Sequence, residues 1–346
     1  MRLRGILLVI DIRVMVVKKT LYIFSNGELH RKDNTLYFET ENGRRFIPVE
    51  DTGEIMIFGE VQFNKKFLEF LSQKEIILHY FSHHGYYMGT FYPREHLNSG
   101  YMILRQTEHY LNKQMRLTIA REFVRGAGKN ICQVLKYYHR RDKNVGEPLN
   151  AVEKLITTLD DCGDTSALMA IEGNIRDHYY RAFDAIIGDT DFAFQERTRR
   201  PPKNYLNTLI SFGNSLMYSI CLSEIYKTHL DPRIGYLHAT NFRRFTLNLD
   251  ISEIFKPIII DRLIFSLLGK KMVTKNDFDR GTEGISLKEK AKKCFVEELD
   301  NKLKTTINHR EIGHSVSYRR LIRLELYKLE KHLMGEKSYT PFIARW

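Results

Sequence analysis

The hydrophobic pattern of the chain changes near residue 93, and this change limits the possible folds more than composition does. Before it, short apolar runs are separated by turn signals such as Asn26-Gly27, Asp33-Asn34 and Asn42-Gly43. After it, apolar residues recur with the period of a helix. The sequence therefore predicts an α+β fold, with a β-rich N-terminal domain over residues 1–93 and a larger α-helical domain over residues 99–346.

The same patterns predict individual elements. A helix is predicted over 64–74, and a long helical segment over 99–141 with a break at Gly126 and Gly128. Strands are predicted over 19–25, 27–33, 34–40, 44–49, 54–59, 75–82 and 86–93. Loops are predicted near 142–148, 188–203 and 270–286.

Charge and cysteine content indicate the class of partner and the compartment. The net charge of +12 predicts a polyanionic partner, with nucleic acid favoured over an anionic membrane. The four cysteines are widely spaced and form no CxxC pair, which argues against a zinc knuckle or a redox motif. Free thiols of this kind are typical of a reducing cytoplasm. The cysteines are Cys132, Cys162, Cys221 and Cys294.

The apolar run at residues 6–17 is the one candidate for a targeting or membrane segment. It is too short for a membrane span, contains Asp11 and Arg13, and is followed by no small-residue cleavage site. We therefore expect a cytoplasmic protein with no membrane association. Residues 1–14 precede Met15 and are either an upstream extension or an extra strand.

The segment LNLDISEIFKP, residues 247–257, carries Asp250 and Glu253 three residues apart among large apolar side chains. On a helix this spacing puts both carboxylates on one face, where burial is costly unless a cation or a hydrogen-bond donor compensates them. One interpretation is that Asp250 is an N-cap and Glu253 the N3 acid of a capping box. Pro257 is then expected to kink the helix.

Two further residues are candidates for chemistry. Glu172 lies on or beside the apolar face of a predicted helix, next to Gly173, and it can equally be a boundary residue paired with Arg176 at i+4. His238 follows an apolar run and precedes a polar loop, and alone it has a structural interpretation. Together with Asp250 and Glu253, these residues suit Mg²⁺ or Mn²⁺, which would neutralise the acids and offer open positions to a phosphate.

Long motifs then resemble a known family. The segment LDPRIGYLHATNFRRFTLNLDISEIFKPIIIDR, residues 230–262, resembles the signature of the CRISPR-associated integrase and endonuclease, the catalytic subunit of spacer acquisition. ALMAIEGNIRDHYYRAF, residues 167–183, is similar to the glutamate helix of that family. Further similar segments are 20–39, 199–225 and 339–346, and the resemblance spans residues 17–346.

The resemblance implies both an architecture and an activity. It implies an N-terminal β-sandwich-like domain, a homodimer, and a complex with a small ferredoxin-like adaptation protein. It implies Glu172, His238 and Glu253 as ligands of Mg²⁺ or Mn²⁺, with Asp250 as a further ligand or a supporting acid. The implied reaction is metal-dependent transesterification that inserts short DNA duplexes into a CRISPR array, together with resolution of branched DNA and endonuclease cleavage.

Basic residues near these motifs are predicted to contact DNA phosphates, although solvated surface charge is the alternative. Arg243 and Arg244 follow His238 by five and six residues. The remaining candidates are Arg197, Arg199, Arg200 and Lys203 in one loop, and Arg319, Arg320 and Arg323 in a predicted C-terminal helix.

Other functions stay open. A non-catalytic, basic DNA-binding scaffold has the same charge and does not require the acids to converge. A different metal phosphohydrolase is disfavoured, because the sequence has no suitable His-Asp dyad and no GxxxxGK[ST] loop. A membrane-surface role has only the basic charge in its favour.

Overall fold

The computed structural model describes residues 18–94, 97, 99–240, 245–281, 284–309 and 313–345. Residues 1–14, the possible extension, lie outside this range. The chain separates into two compact units. The first runs to Tyr80 and includes Gly89–Arg94, and the second comprises Phe81–Met88 and the chain from Glu95 onward. No helix among the described residues is long and apolar enough to cross a membrane.

Two four-stranded sheets and one helix build the β-rich part of the chain. The elements are β1 (Lys19–Ile23), β2 (Gly27–Lys32), β3 (Thr35–Thr40), β4 (Gly43–Ile47), β5 (Thr52–Ile57), β6 (Val61–Phe63), α1 (Lys65–Lys74), β7 (Ile77–Phe81) and β8 (Tyr87–Phe91). One sheet has the order β1-β5-β7-β8 and the other β4-β3-β2-β6. Fully buried side chains of both sheets and of α1 share one core. This arrangement confirms the β-rich part of the predicted fold.

The turn signals have two different outcomes. Asp33, with a positive φ of 53°, connects the antiparallel strands β2 and β3, and Gly43, with φ of 122°, begins β4 after the next turn. The Asn26-Gly27 signal does not join two paired strands. Strand β1 pairs in parallel with β5, while β2 pairs with β3 and β6, so the chain passes from one sheet to the other at this point.

The second unit is mainly helical, which confirms the predicted fold class. Its helices are α2 (Gly100–Leu111), α3 (Lys113–His139), α4 (Gly146–Thr157), α5 (Thr165–Arg181), α6 (Phe183–Ile187), α7 (Tyr205–Ile225), α8 (Leu247–Lys256), α9 (Arg262–Gly269), α10 (Glu289–Lys304) and α11 (Tyr318–Leu333). It also has two hairpins, β9 (Phe278–Gly281) with β10 (Gly284–Leu287), and β11 (Thr306–His309) with β12 (His314–Ser317). The first hairpin occupies part of the predicted loop at 270–286.

The predicted helix break at Gly126 and Gly128 is wrong. Helix α3 runs through both glycines, and the break between α2 and α3 is at Asn112, whose side chain caps the next helix by accepting from the backbone N–H of Gln114 and Met115. A Cβ at Gly126 would lie 2.6 Å from the Pro341 side chain. The glycine there allows the C-terminal segment to approach α3 closely.

Helix α8 passes into a π-helical segment, Pro257–Asp261, before α9 begins. Pro257 has no N–H for the carbonyl of Glu253, four residues earlier, and its ring crowds that carbonyl. A π-helical turn accommodates both effects without breaking the helix. The predicted kink is therefore a local change of helix type within a fully buried segment.

Candidate active site

Glu172 lies in the middle of α5. Asp164 caps this helix by accepting from the N–H of Ala167 at 2.8 Å, and Ile175 and Tyr179 on the inner face are buried. The Glu172 side chain is 16% exposed, and its Oε1 lies 3.4 Å from Nε of Arg176. A Cβ at Gly173 would meet no atom within 4 Å, so the surface beside Glu172 is open. Glu172 therefore lies at the edge of the core and also forms the predicted i+4 pair.

Asp250 does not cap its own helix. Helix α8 begins at Leu247 after Thr246, which forms no side-chain cap, and Asp250 is already in the first turn. Its carboxylate instead accepts from the backbone N–H groups of Tyr236 and Leu237, at 2.6 and 3.0 Å, and of His238 at 3.0 Å. The capping-box interpretation is wrong because the nearby 236–238 loop supplies more donors than the helix terminus.

His238 is bound by the same carboxylate. Its Nδ1 lies 2.7 Å from Oδ1 of Asp250, and its side chain is 26% exposed. Because a carboxylate only accepts hydrogen bonds, Nδ1 must carry the proton. In the neutral imidazole, Nε2 then holds the lone pair, which is the arrangement of a metal-binding histidine supported by a carboxylate.

Glu253 is bound between two buried cations. Its Oε1 lies 2.5 Å from Nζ of Lys256, and its Oε2 lies 2.5 Å from Nη2 of Arg176. Lys256 also donates to the hydroxyl of Tyr218 at 2.8 Å. The negative charge of Glu253 is therefore compensated by an ion-pair network within the protein. The sequence patterns did not reveal this network.

Asp261, in the π-helical segment, completes this network. Its Oδ2 lies 3.7 Å from Nη1 of Arg176 and accepts no hydrogen bond. Burial raises the pKa of Asp261 to about 6, despite the opposing charges of Arg176 and Lys256. Three acids, Glu172, Glu253 and Asp261, thus face the same guanidinium.

The electrostatics distinguish the two glutamates. Burial and the charge of Glu253 raise the pKa of Glu172. Burial would also raise the pKa of Glu253, but Lys256 and Arg176 outweigh it and hold that pKa well below the usual range. Burial lowers the pKa of His238, and the hydrogen bond and charge of Asp250 more than reverse this effect, so the net shift is upward.

The four predicted site residues converge. Asp250 contacts His238 directly, Arg176 joins Glu172 to Glu253, and the charges of His238 and Glu253 both act on the Glu172 carboxyl. The sequence patterns missed Lys256, Tyr218 and Asp261. A Lys at i+3 from Glu253 was the one signal that could have indicated the ion pair.

The donor atoms of these residues are of the kind that a divalent cation prefers. Within the described ranges, no group of three or more His, Cys, Asp or Glu side chains is already arranged around a common point as ligands. The chemistry of the donors nevertheless fits, because Glu172 is a partly buried acid with a raised pKa and the neutral imidazole of His238 keeps a lone pair on Nε2. A carboxylate has about four acceptor positions, so Glu253 can bind a cation while keeping Arg176 and Lys256.

Six of the nine basic residues predicted to contact DNA lie outside α11, and they fall into three groups. Arg243 and Arg244 lie outside the described residues. Arg197 is engaged internally, donating to Oδ1 of Asn207 at 3.0 Å and to Oγ of Ser211 at 3.1 Å. Arg199, Arg200 and Lys203 are exposed. A role in DNA contact stays a prediction for all six residues.

Two arginines of α11 have an internal partner. Glu224, at the end of α7, is fully buried; its Oε1 lies 2.9 Å from Nε of Arg319, and its Oε2 lies 2.6 Å from Nη2 of Arg323. Lys227 lies 2.9 Å from the same carboxylate. Both guanidiniums therefore join α11 to α7, and this geometry favours a structural role for them.

Comparison with known proteins identifies the family. The family model described as CRISPR associated protein Cas1 matches residues 21–301. The chain belongs to the Cas1 family. The "CRISPR-associated endonuclease Cas1 2" of Thermodesulfovibrio yellowstonii is 60% identical over 330 residues, which cover 95% of this chain and 100% of that protein. The "CRISPR-associated endonuclease Cas1" of Thermotoga maritima is 50% identical over 321 residues, which cover 93% of this chain and 98% of that protein.

Two solved structures share the fold of this chain. The structure of TM1797, a Cas1 protein from Thermotoga maritima, has a TM-score of 0.86 at 49% identity and covers 94% of this chain and 99% of its own. A casposase bound to integration product has a TM-score of 0.84 at 21% identity, covering 95% of this chain and 96% of its own. At that identity the casposase shows a common fold and nothing more.

Proposed function

We propose that this Cas1-family protein is a metal-dependent DNA endonuclease and integrase whose centre is formed by Glu172, His238 and Glu253. The observation that carries the proposal is their convergence from three separate segments onto one partly open site, with Asp250 supporting His238. The family relationship supports a nuclease. The casposase adds that a protein of this fold is found with an integration product.

Glu172, His238 and Glu253 would hold the cation, Mg²⁺ or Mn²⁺. When bound, such a cation supplies charge neutralisation and polarisation of a phosphodiester, and it lowers the pKa of an attacking hydroxyl or water. The protein's own residues prepare this site. Asp250 fixes the tautomer and orientation of His238, while Arg176 and Lys256 keep Glu253 ionised in a buried position.

The proposed reaction is a phosphodiester exchange. The terminal hydroxyl of a short DNA duplex attacks a phosphodiester at the edge of a repeat, forming one P–O bond as another breaks, and the displaced strand leaves with a 3′ hydroxyl. The reverse reaction resolves branched DNA, and water in place of the hydroxyl gives cleavage. The excess of basic residues attracts the DNA backbone without selecting a sequence.

The proposed partners extend beyond DNA. A homodimer and a complex with a small ferredoxin-like adaptation protein are proposed from the family resemblance. Helix α2 presents exposed apolar side chains, Tyr101, Leu104 and Leu111, which suit a protein interface. Light scattering of the purified chain, alone and with the partner, tests both assemblies.

The central experiment uses a branched DNA that imitates a half-integrated product. The wild-type protein is incubated with Mn²⁺ and with EDTA, and compared with Glu172→Ala and with Asp177→Ala. Asp177 is an exposed acid on the same helix, paired with Arg181, and serves as the matched control. Resolution that requires Mn²⁺, is lost in Glu172→Ala and persists in Asp177→Ala is the expected result. Activity that survives in Glu172→Ala would refute the proposed site.

A DNA-binding scaffold is the second candidate, because both oxygens of Glu253 already contact cations of the protein itself. A scaffold binds branched DNA equally with Mn²⁺ or EDTA and never resolves it. Measuring DNA binding and resolution in the same samples separates the two functions.

A further inference from the structure

We propose that Arg176 is a positioning residue that fixes Glu172 and Glu253 relative to each other, an inference that rests on the proposed function. Its side chain is 10% exposed and reaches both glutamates. Nε lies 3.4 Å from Oε1 of Glu172, and Nη2 lies 2.5 Å from Oε2 of Glu253. Arg176 therefore connects helix α5 to helix α8 at the two residues proposed to bind the cation.

A second contact strengthens this connection. Nη2 of Arg176 also donates to the main-chain carbonyl of Glu253 at 3.3 Å. That carbonyl lacks its usual helical donor, because Pro257 stands four residues later and has no N–H. The guanidinium thus donates to a carbonyl from which Pro257 has removed the usual α-helical donor. Both the backbone and the side chain of Glu253 are thereby held by one group.

The geometry of the guanidinium matters beyond its charge. Arginine presents five donors in a fixed plane, whereas the ammonium of lysine is a point charge on a flexible stem. With Lys256 on Oε1 and Arg176 on Oε2, the carboxylate plane of Glu253 is fixed from both sides. Supporting groups of this kind typically contribute about 10- to 100-fold to metal affinity.

A counter-ion role and a positioning role of Arg176 predict different Mn²⁺ affinities for the same substitutions. If Arg176 were only a counter-ion, Arg176→Lys would bind Mn²⁺ as the wild type does, and Arg176→Gln would bind it more tightly because a competing cation is gone. If Arg176 positions the acids, Arg176→Lys retains the charge but loses the contacts that align them. Mn²⁺ affinity should then fall by about 10- to 100-fold.

The experiment measures Mn²⁺ binding by calorimetry and by electron paramagnetic resonance on the full chain, with thermal unfolding and branched-DNA resolution in parallel. Arg125→Lys is the matched control, because Arg125 also pairs with two acids, Glu122 and Asp160, and is 19% exposed. The expected result is weaker binding and a changed resonance signal in Arg176→Lys alone. Wild-type affinity and signal in a folded Arg176→Lys protein would overturn the inference.

Pro257→Ala is the second variant, in case Arg176→Lys does not fold. It restores an N–H that competes with Arg176 for the Glu253 carbonyl, and it removes a residue unfavourable within a helix. We expect unchanged or higher stability with weaker Mn²⁺ binding, a combination that unfolding cannot produce. Unchanged binding would count against Arg176. A wild-type protein that binds no Mn²⁺ would overturn the proposed function itself, and the role of Arg176 with it.

Discussion

The carboxylate of Asp250 accepts two hydrogen bonds from His238, one from the backbone N–H at 3.0 Å and one from Nδ1 at 2.7 Å. Its second oxygen accepts from the N–H groups of Tyr236 and Leu237. One buried acid thus determines both the path of the loop and the tautomer of the imidazole. Asp250 supports the site through His238.

Asp250→Asn should therefore weaken both the fold and the activity. The amide nitrogen of asparagine cannot accept, so at least one buried N–H loses its partner, at a cost of about 1–3 kcal/mol in the free energy of unfolding. We expect metal-dependent DNA resolution to fall by about 10- to 100-fold, because His238 loses its orientation. Urea unfolding and resolution rates measure the two effects, with Asp177→Asn as the control. Unchanged resolution in a folded variant would contradict this role.

The two glutamates should respond oppositely to neutralisation. Glu172→Gln removes a charge that burial disfavours, so stability at pH 7 should be unchanged or higher. Glu253→Gln leaves Lys256 and Arg176 buried without their shared anion, which should cost about 3–5 kcal/mol. Thermal and urea unfolding of the two variants at pH 7 make the comparison. Equal destabilisation of both would show that the ion-pair network is misassigned.

Asp261 gives a pH-dependent prediction. Its pKa is raised to about 6 in the folded protein, above the ordinary value of 3.8, so the folded state binds the proton more tightly than the unfolded state. This group therefore adds stability as the pH falls from about 6 towards 4, and that contribution is lost as the pH rises again. Asp261→Asn should exceed the wild type in stability by up to roughly 3 kcal/mol above pH 6, and this difference should shrink as the pH falls from about 6 to about 4.

The difference between Asp261→Asn and wild type, measured by urea unfolding from pH 4 to 8, isolates this group from other titrations. The exposed Asp177→Asn variant should give a flat difference across the same range. A difference for Asp261→Asn that grows towards acid would have the wrong sign and would refute the assignment.

Glu224 should dominate the acid sensitivity of the α7–α11 contact. Burial opposes its ionisation, but Lys227, Arg323 and Arg319 outweigh burial and hold its pKa well below the ordinary value. A lowered carboxyl pKa contributes stability above about pH 4.3 that is lost as the pH falls further. Glu224→Gln should cost about 3–5 kcal/mol at pH 7, because two guanidiniums lose their anion. Hydrogen exchange of α11 measures the local effect, which should be absent in the exposed-pair control Glu289→Gln.

The sequence patterns and family motifs were sufficient to predict the α+β class, and they selected Glu172, His238, Asp250 and Glu253 as candidates whose catalytic role stays a prediction. Periodicity reports which side chains face inward, and turn residues report local backbone preferences. Both signals can be read from the sequence because they do not depend on tertiary contacts. Even so, the chain passes from one sheet to the other at Asn26-Gly27, although a hairpin turn was equally consistent with the sequence there. Strand pairing is a long-range property that a local turn signal does not report.

Only the tertiary structure decided what compensates the acids. Asp250 lies fourteen residues from the N–H of Tyr236, and Glu253 lies seventy-seven residues from Arg176, so neither partner is visible in a local pattern. Capping and i+4 rules describe neighbours along one helix, whereas these bonds join separate segments. The sequence determined which residues carry charge into the core, and the packing of α5 and α8 on the shared helix α3 determined which charges meet.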